Sequence, residues 1–576
     1  MHRLPEATIG SAAMTTSAAQ PSRAPSESGE YTHAQILTII TGLMMGMFLG
    51  ALDQTIVSTA IRTIADDLQG LSVQAWVTTA YLITSTIATP IYGKLGDLYG
   101  RKKLFMFAIT VFIVGSALCS FATSMYMLAF FRAIQGIGAG GLFTLVLAII
   151  GDIVSPRERA RYTGYFMATF GTSSVLGPVI GGFFASHAVI LGVTGWRWVF
   201  LVNVPIGIAA LFVVYRTLHV HHEPRRARID WWGAVALVVT LVPLLTVAEQ
   251  GRIWGWSSGR SMSCYAVGLV GLAAFFVVEH RMRDDALIPL RMFRLRPVSV
   301  GIGANVITGM AMFGGIMLLP LYMQIVHGAS PMKSGFLMLP MVIGMMTASI
   351  ISGQVISRTG HIRAFPIFGS ALASASLLLL STISADTQLV LVMAMMLALG
   401  FGLGNCMQPL LLILQSAVPP RDIGVATASA TFFRQIGGTI GVAVFLSILF
   451  GQVGGNIANA LHDEAQQPAF QQALAHPATP MDQQLATSLQ SGGHGGLLGQ
   501  VNDDSSFIQQ LSPVLAHPFK AGFATSMDTV FLCAGLISIL AFLTLLLMPK
   551  VELRATSASA AVRSEAAPTA PITDQV

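Results

Sequence analysis

Fourteen runs of about twenty mainly apolar residues constrain this 576-residue chain more than any other feature. A helix needs about 20 such residues to cross a hydrocarbon core roughly 30 Å thick, because each residue rises 1.5 Å. Six runs lie near 36–60, 74–93, 103–123, 127–151, 163–187 and 198–217, and two more near 232–249 and 262–280. A last six lie near 298–323, 333–355, 364–383, 388–413, 424–451 and 525–548. Membrane β-strands alternate every second residue and do not give continuous runs of this length. The pattern predicts an all-α polytopic membrane protein. Composition points the same way: 53% of residues are hydrophobic and 10% charged, against roughly 25% charged in ordinary soluble domains. Disorder, a collagen-like fibre, a disulfide scaffold and most soluble enzymes are excluded.

The net charge of +6 does not imply nucleic acid, because the basic residues cluster between apolar runs. Arg101-Lys102-Lys103, Arg157/Arg159/Arg161, Arg225/Arg226/Arg228 and Arg291/Arg294/Arg296 fall on the side shared by both chain ends. Lys and Arg concentrate on the cytoplasmic side of membrane proteins, so both termini are expected there, in a cell membrane. Residues 1–34 and 551–576 read as disordered tails, and the first is not a signal peptide. The long loop 452–522, rich in Gln, Ala, Gly and His, is expected outside and partly disordered, with a short helix near 462–474. Cys119, Cys264, Cys406 and Cys533 show no disulfide or zinc spacing.

The sequence repeats itself. GKLGDLYGRKK from Gly93 is echoed by GQVISRTGHIR from Gly353, 260 residues later. Gly136-Ile-Gly138 recurs as Gly400-Phe-Gly402, and Ser155-Pro156-Arg157 as Pro419-Pro420-Arg421, both after 264 residues. The expected organisation is a six-helix half over 35–217, two extra helices over 218–297, and a second six-helix half over 298–550. Parallel halves around a midplane cavity are a transporter construction. The second copy has Ser357 and His361 where the first has Asp97 and Arg101.

Six motifs in order carry a resemblance. Leu52-Asp53-Gln54-Thr55-Ile56-Val57 is similar to an LDxTxV signature, with Arg62 where a proline is usual. Gly93-x-Leu95-x-Asp97-x-x-Gly100-Arg101-Lys102, Arg132-x-x-Gln135-Gly136-x-Gly138 and Gly171-x5-Gly177-Pro178-x-x-Gly181-Gly182 follow. Trp196-Arg197-x-x-Phe200-x-x-Asn203-x-Pro205 and Gly424-x-Ala426-x-x-Ser429-x4-Arg434-x-x-Gly437-Gly438 complete the set. Over about 35–550 the chain resembles the major facilitator superfamily, and within it the fourteen-span EmrB/QacA type of drug:proton antiporters. The resemblance implies proton-coupled export of hydrophobic or cationic small molecules. It also implies a conformational latch at Gly93, Asp97, Gly100 and Arg101, and a seal or hinge at Gly171, Gly177, Pro178, Gly181 and Gly182.

Asp53 is expensive to keep charged inside a span and is a functional candidate by position alone. Arg132 stays protonated, so it serves as a counter-charge and not as the proton carrier. Gln54, Gln135, Tyr322, Gln324, Asn405, Gln408 and Arg434 are candidate cavity groups; each also reads as a helix–helix contact. The methionines of spans nine to twelve offer an adaptable apolar surface, or face lipid. Gly136-Ile-Gly138-Ala-Gly140-Gly141 lacks the preceding strand of a dinucleotide loop, and Gly255-Trp256-Ser257-Ser258-Gly259 lacks a strand–turn–helix setting. His219, His221, His222 and Glu223 read as a solvated loop. Without a Walker-A sequence, ATP is not the expected energy source. No metal or cofactor is expected beyond the proton as coupling ion; the expected partners are small molecules, protons and the bilayer, with the chain acting as a monomer. The rival functions are export of one endogenous metabolite, lipid or siderophore, and a non-transporting receptor or scaffold.

Overall fold

The computed structural model describes residues 33–68, 75–154, 156–218, 230–419, 422–490 and 506–551. The tails, residues 219–229 with their histidines, and 491–505 with the SGGHGG stretch lie outside the described residues, as does the Arg62 side chain. Helices stand where the apolar runs predict them. The first half comprises α1 (His33–Asp67), α2 (Ala75–Tyr99), α3 (Arg101–Ser120), α4 (Met125–Ile153), α5 (Pro156–Ser186), the single turn α6 (Trp198–Leu201) and α7 (Asn203–Thr217). A hairpin follows, α8 (Trp231–Trp254) and α9 (Gly259–Met282), with Ser258 capping α9 through the Ser261 amide. The second half comprises α10 (Arg296–Ile325), α11 (Pro331–Leu337), α12 (Leu339–Thr359), α13 (Ala364–Leu380), α14 (Leu389–Ala417) and α15 (Ile423–Glu464). It ends with α16 (Pro468–Ala475), α17 (Pro480–Gln490) and α18 (Pro513–Leu546).

Among the described residues 12 helices are long and apolar enough to cross a membrane, and the shorter Ala364–Leu380 is also apolar. The chain is therefore an all-α, multi-pass membrane protein. The run expected at 74–93 forms α2, a helix of 25 residues that falls outside those 12. Its hydroxyls lower its apolarity but are satisfied internally: Thr84 donates to Ala80 O, Ser85 to Leu82 O and Thr89 to Ser85 O. Such back-bonding spares a hydroxyl the cost of an unmade hydrogen bond in lipid.

The outer part of the second half departs from expectation. The run at 424–451 continues without a break to Glu464, giving a helix of 42 residues. At 1.5 Å per residue that is about 63 Å, roughly twice the hydrocarbon thickness. The expected helix at 462–474 instead divides between the end of α15 and α16, and the run at 525–548 begins at Pro513. Phe470, Leu485, Phe507, Ile508, Leu511 and Leu515 join the apolar core of the second half. This core, not charge, orders a segment whose composition reads as loose, and makes 452–490 a folded cap. Asp482 staples it: its buried carboxylate accepts from the amides of Ala478, Thr479 and, across the cap, Ser512.

Each half packs around its own apolar cluster. The halves meet where α2 crosses α15 and α5 crosses α12, and α8 of the hairpin rests on both α2 and α15.

Candidate functional site: a buried carboxylate cluster and an inter-half latch

Asp53 is 0% exposed and Arg132 2%. Arg132 Nη1 lies 2.6 Å from Asp53 Oδ2 and donates to Gln135 Oε1 at 2.6 Å. Asp53 Oδ1 accepts from Gln135 Nε2 at 2.8 Å and from Asn203 Nδ2 at 2.9 Å. Gln135 and Asn203 also donate to Ser116 Oγ, at 2.5 and 3.3 Å. The Arg132 guanidinium lies over the Tyr81 ring, 4.0 Å from its centroid. Side chains from α1, α2, α3, α4 and α7 thus converge on one ion pair.

Small residues make this convergence possible. A Cβ at Gly115 would run into the Gln135 backbone, and one at Gly136 into Tyr81 O. The glycines of α3 and α4 therefore set the close helix spacing, as small residues do in membrane interfaces. On the other flank Gly177 of α5 seats against Thr55, two residues beyond Asp53, and Thr55 donates to Ser173 O at 3.1 Å.

Chemically the cluster is one carboxylate and one guanidinium held out of water. Removing either charge leaves the other uncompensated and buried, and such a loss costs about 3–5 kcal/mol.

A second charged site lies on the basic side of the bundle. Arg101 Nη2 lies 2.8 Å from Asp97 Oδ1, and Arg101 Nη1 lies 2.9 Å from Asp152 Oδ2 and contacts Ala148 O. Asp97 Oδ2 accepts from the Val425 amide at 3.2 Å, at the N-terminus of α15 in the other half. The free amides and positive dipole end of a helix N-terminus favour a carboxylate there. A Cβ at Gly93 would strike Ala428, and one at Gly424 would strike the Asp97 carboxylate. Gly100, at φ +92°, makes the turn from α2 into α3. Alongside, Arg291 Nη2 meets Asp422 Oδ2 at 3.1 Å, tying the segment after the hairpin to the start of α15.

The remaining candidates scatter. Gly171 packs on Val342 and Met346 of α12, Pro178 on Gly335 of α11, and Gly181 on Ile56 O, whereas a Cβ on Gly182 would meet nothing within 4 Å. Gln54 is exposed. Tyr322 donates to Ser384 O at 2.9 Å, and Gln324 lies beside Ser334 and, through its carbonyl, Gln509, so both sit under the cap. Asn405 donates to Phe401 O within its own helix, and Gln408 is buried in the same helix. Among the described residues none of these four bonds to Asp53. Sequence reasoning quoted Asn203 within a motif without giving it a role, and passed over Ser116, Tyr81 and Asp152.

Two helical halves in contact, the first holding a buried ion pair, are the construction of a membrane transporter. The chain belongs to the Major Facilitator Superfamily, whose family model matches residues 43–442. It is 37% identical over 402 residues to the Multidrug transporter protein MdtP of Bacillus subtilis (strain 168), covering 70% of this chain and 73% of that protein. It is 33% identical over 530 residues to Multidrug resistance protein 3 of the same organism, covering 90% and 96%. Among solved structures, the proton:xylose symporter XylE superposes with a TM-score of 0.57 at 14% identity, covering 92% of this chain and 100% of that one. The human organic anion transporter MFSD10 (TETRAN) does so with 0.54 at 15%, covering 87% and 99%. At these identities the two structures share the fold.

Proposed function

We propose that the protein is a secondary multidrug exporter of the fourteen-span type, exchanging protons for hydrophobic or cationic small molecules across the cell membrane. The observation that carries this reading is the Asp53–Arg132 pair, fully buried and gripped by donors from α4 and α7. An intramembrane acid of this kind marks an ion or substrate pathway. Multidrug export is also the role named for its relatives MdtP and Multidrug resistance protein 3.

With the termini in the cytoplasm, the Asp97–Val425 contact closes the cytoplasmic side and the arrangement described is outward-facing. A proton arriving from outside neutralises Asp53 and frees Arg132. The resulting loss of pairing weakens the packing of α1 against α4, and the bundle moves to the inward-facing state as the latch opens. A cationic substrate from the cytoplasm then displaces the proton, and the pair re-forms after release. A potential of about 100 mV supplies roughly 2.3 kcal/mol per charge, and one pH unit about 1.4 kcal/mol. Together they sustain a gradient of several hundredfold for a neutral substrate.

The test is transport of a fluorescent cation in proteoliposomes with the pH gradient and membrane potential imposed separately. The expected result is uptake driven by the pH gradient, because exchanging one proton for one monovalent cation moves no net charge, with substrate-induced proton release from detergent-purified protein. Flux indifferent to both gradients, or no flux, would overturn the reading.

A further inference from the structure

Arg434 stands in α15, eleven residues past Ile423. At 1.5 Å per residue this is about 16 Å along the helix, close to the middle of a hydrocarbon core roughly 30 Å thick. Arg132, the other arginine within a span, has a carboxylate, an amide and a ring. Among the described residues Arg434 has no ion-pair or hydrogen-bond partner, and no carboxylate lies close enough to act on it. Its side chain is half-buried, so part of it borders open space.

That space lies between the halves. The next residue, Gln435, accepts from Thr89 of α2 across the inter-half contact at 3.4 Å. On the other side the Arg434 backbone presses on Gly309 of α10, and one turn further Phe313 covers Gly438. A guanidinium at mid-membrane is costly unless an anion or water meets it, and planar carboxylates match its fork of donors.

We propose that Arg434 anchors the carboxylate of anionic or zwitterionic amphiphiles, whose apolar part lies toward Phe313. It rests on the reading of the chain as an exporter and extends the substrate class. The bundle then offers one charge of each sign, Asp53 in the first half for cations and Arg434 in the second for carboxylates. A zwitterion engages both.

The experiment measures binding of three matched probes, pyrenebutyrate, its methyl ester and pyrenebutyl-trimethylammonium, to detergent-purified full-length protein. Wild type is expected to bind the acid at least about tenfold tighter than the ester, a 1.4 kcal/mol difference. Arg434→Gln should abolish that preference and leave the ester and the cation unchanged, while Arg434→Lys keeps part of it. Equal binding of acid and ester by wild type overturns the proposal, as does a preference that survives Arg434→Gln or equal weakening of all three probes. The wild-type comparison stands whichever variant folds. Failure of proton-coupled flux would instead show as gradient-independent transport of the trimethylammonium probe, with the acid–ester preference intact.

Discussion

In the first half, positions 132 and 135 of α4 are Arg and Gln and hold Asp53; 264 residues later α14 carries Met396 and Leu399, both 0% exposed in an apolar cluster with Met341 and Met345. Asp97 and Arg101 pair at the contact between the halves, whereas of their counterparts His361 is exposed and Ser357 half-buried, donating to Gln354 O of its own helix. The second half has instead a folded cap and a 42-residue helix. Duplicated architecture has divided the work. The first half holds a charge pair buried within its spans, whose energy depends on a proton or a partner; at the positions equivalent to Arg132 and Gln135 the second half is apolar.

The largest effect that separates the halves is at Asp53. Asp53→Asn keeps the shape and hydrogen-bonding capacity of the side chain, so membrane insertion should persist. Cation export should fall at least about a hundredfold, matching roughly 3 kcal/mol of lost charge pairing. Proton release on adding substrate should vanish, and Asp53→Glu should retain part of both. Wild-type release by Asp53→Asn would move the coupling site elsewhere. Asn203→Ala removes one hydrogen bond to the same carboxylate, worth about 1.5–3 kcal/mol. A loss of about tenfold is expected in the same assay, at unchanged expression.

The repeat itself allows a matched comparison. Arg101→Ala should cut transport about tenfold, because it removes a partly buried charge pair of about 1–2 kcal/mol that selects one state, while His361→Ala at the equivalent position should leave flux unaltered. Cysteine accessibility on the basic face should rise only in the first variant. Equal sensitivity at both positions would abolish the asymmetry.

The smallest effect on transport is expected in the cap. Burial pushes the Asp482 carboxyl up, but hydrogen bonds from Ser512, Thr479 and Ala478 outweigh it and hold the group below the ordinary carboxylate range. Stability from this group is therefore present above the unfolded value of about 3.9 and lost as pH falls through the lower folded value. Asp482→Ala should destabilise the cap by about 1–3 kcal/mol, read as earlier proteolysis within 465–512, with near-normal flux. Wild type should become equally sensitive only below about pH 4.

The spans were legible because lipid demands an unbroken apolar run, and Asp53 because a carboxylate inside one stands out. The cap was not. Gln, Ala and Gly between few charges look like a loop, and the few apolar residues that bind it, such as Phe470 and Leu485, show their meaning only once α15 and α18 lie beneath. Gln54, one residue from Asp53 and so rotated by about 100°, is exposed and reaches the cluster only through its side-chain hydrogen bond with Tyr81. Asn203 stood in a quoted motif, but its role was not legible: many amides within spans serve only helix–helix contacts, and its aim at Asp53 depends on how α7 returns beside α1.

The length of α15 gives the transport cycle an extramembrane readout. One rod carries the latch partner Val425 at one end and Glu464, 2.5 Å from His517 Nδ1, at the other. If α15 moves as a rigid body, a tilt of about 10° over its roughly 63 Å sweeps the distal end by about 11 Å. A ligand raised against the cap, such as an antibody fragment that recognises one position of α16 and α17, would then arrest the exporter from outside without entering its substrate path.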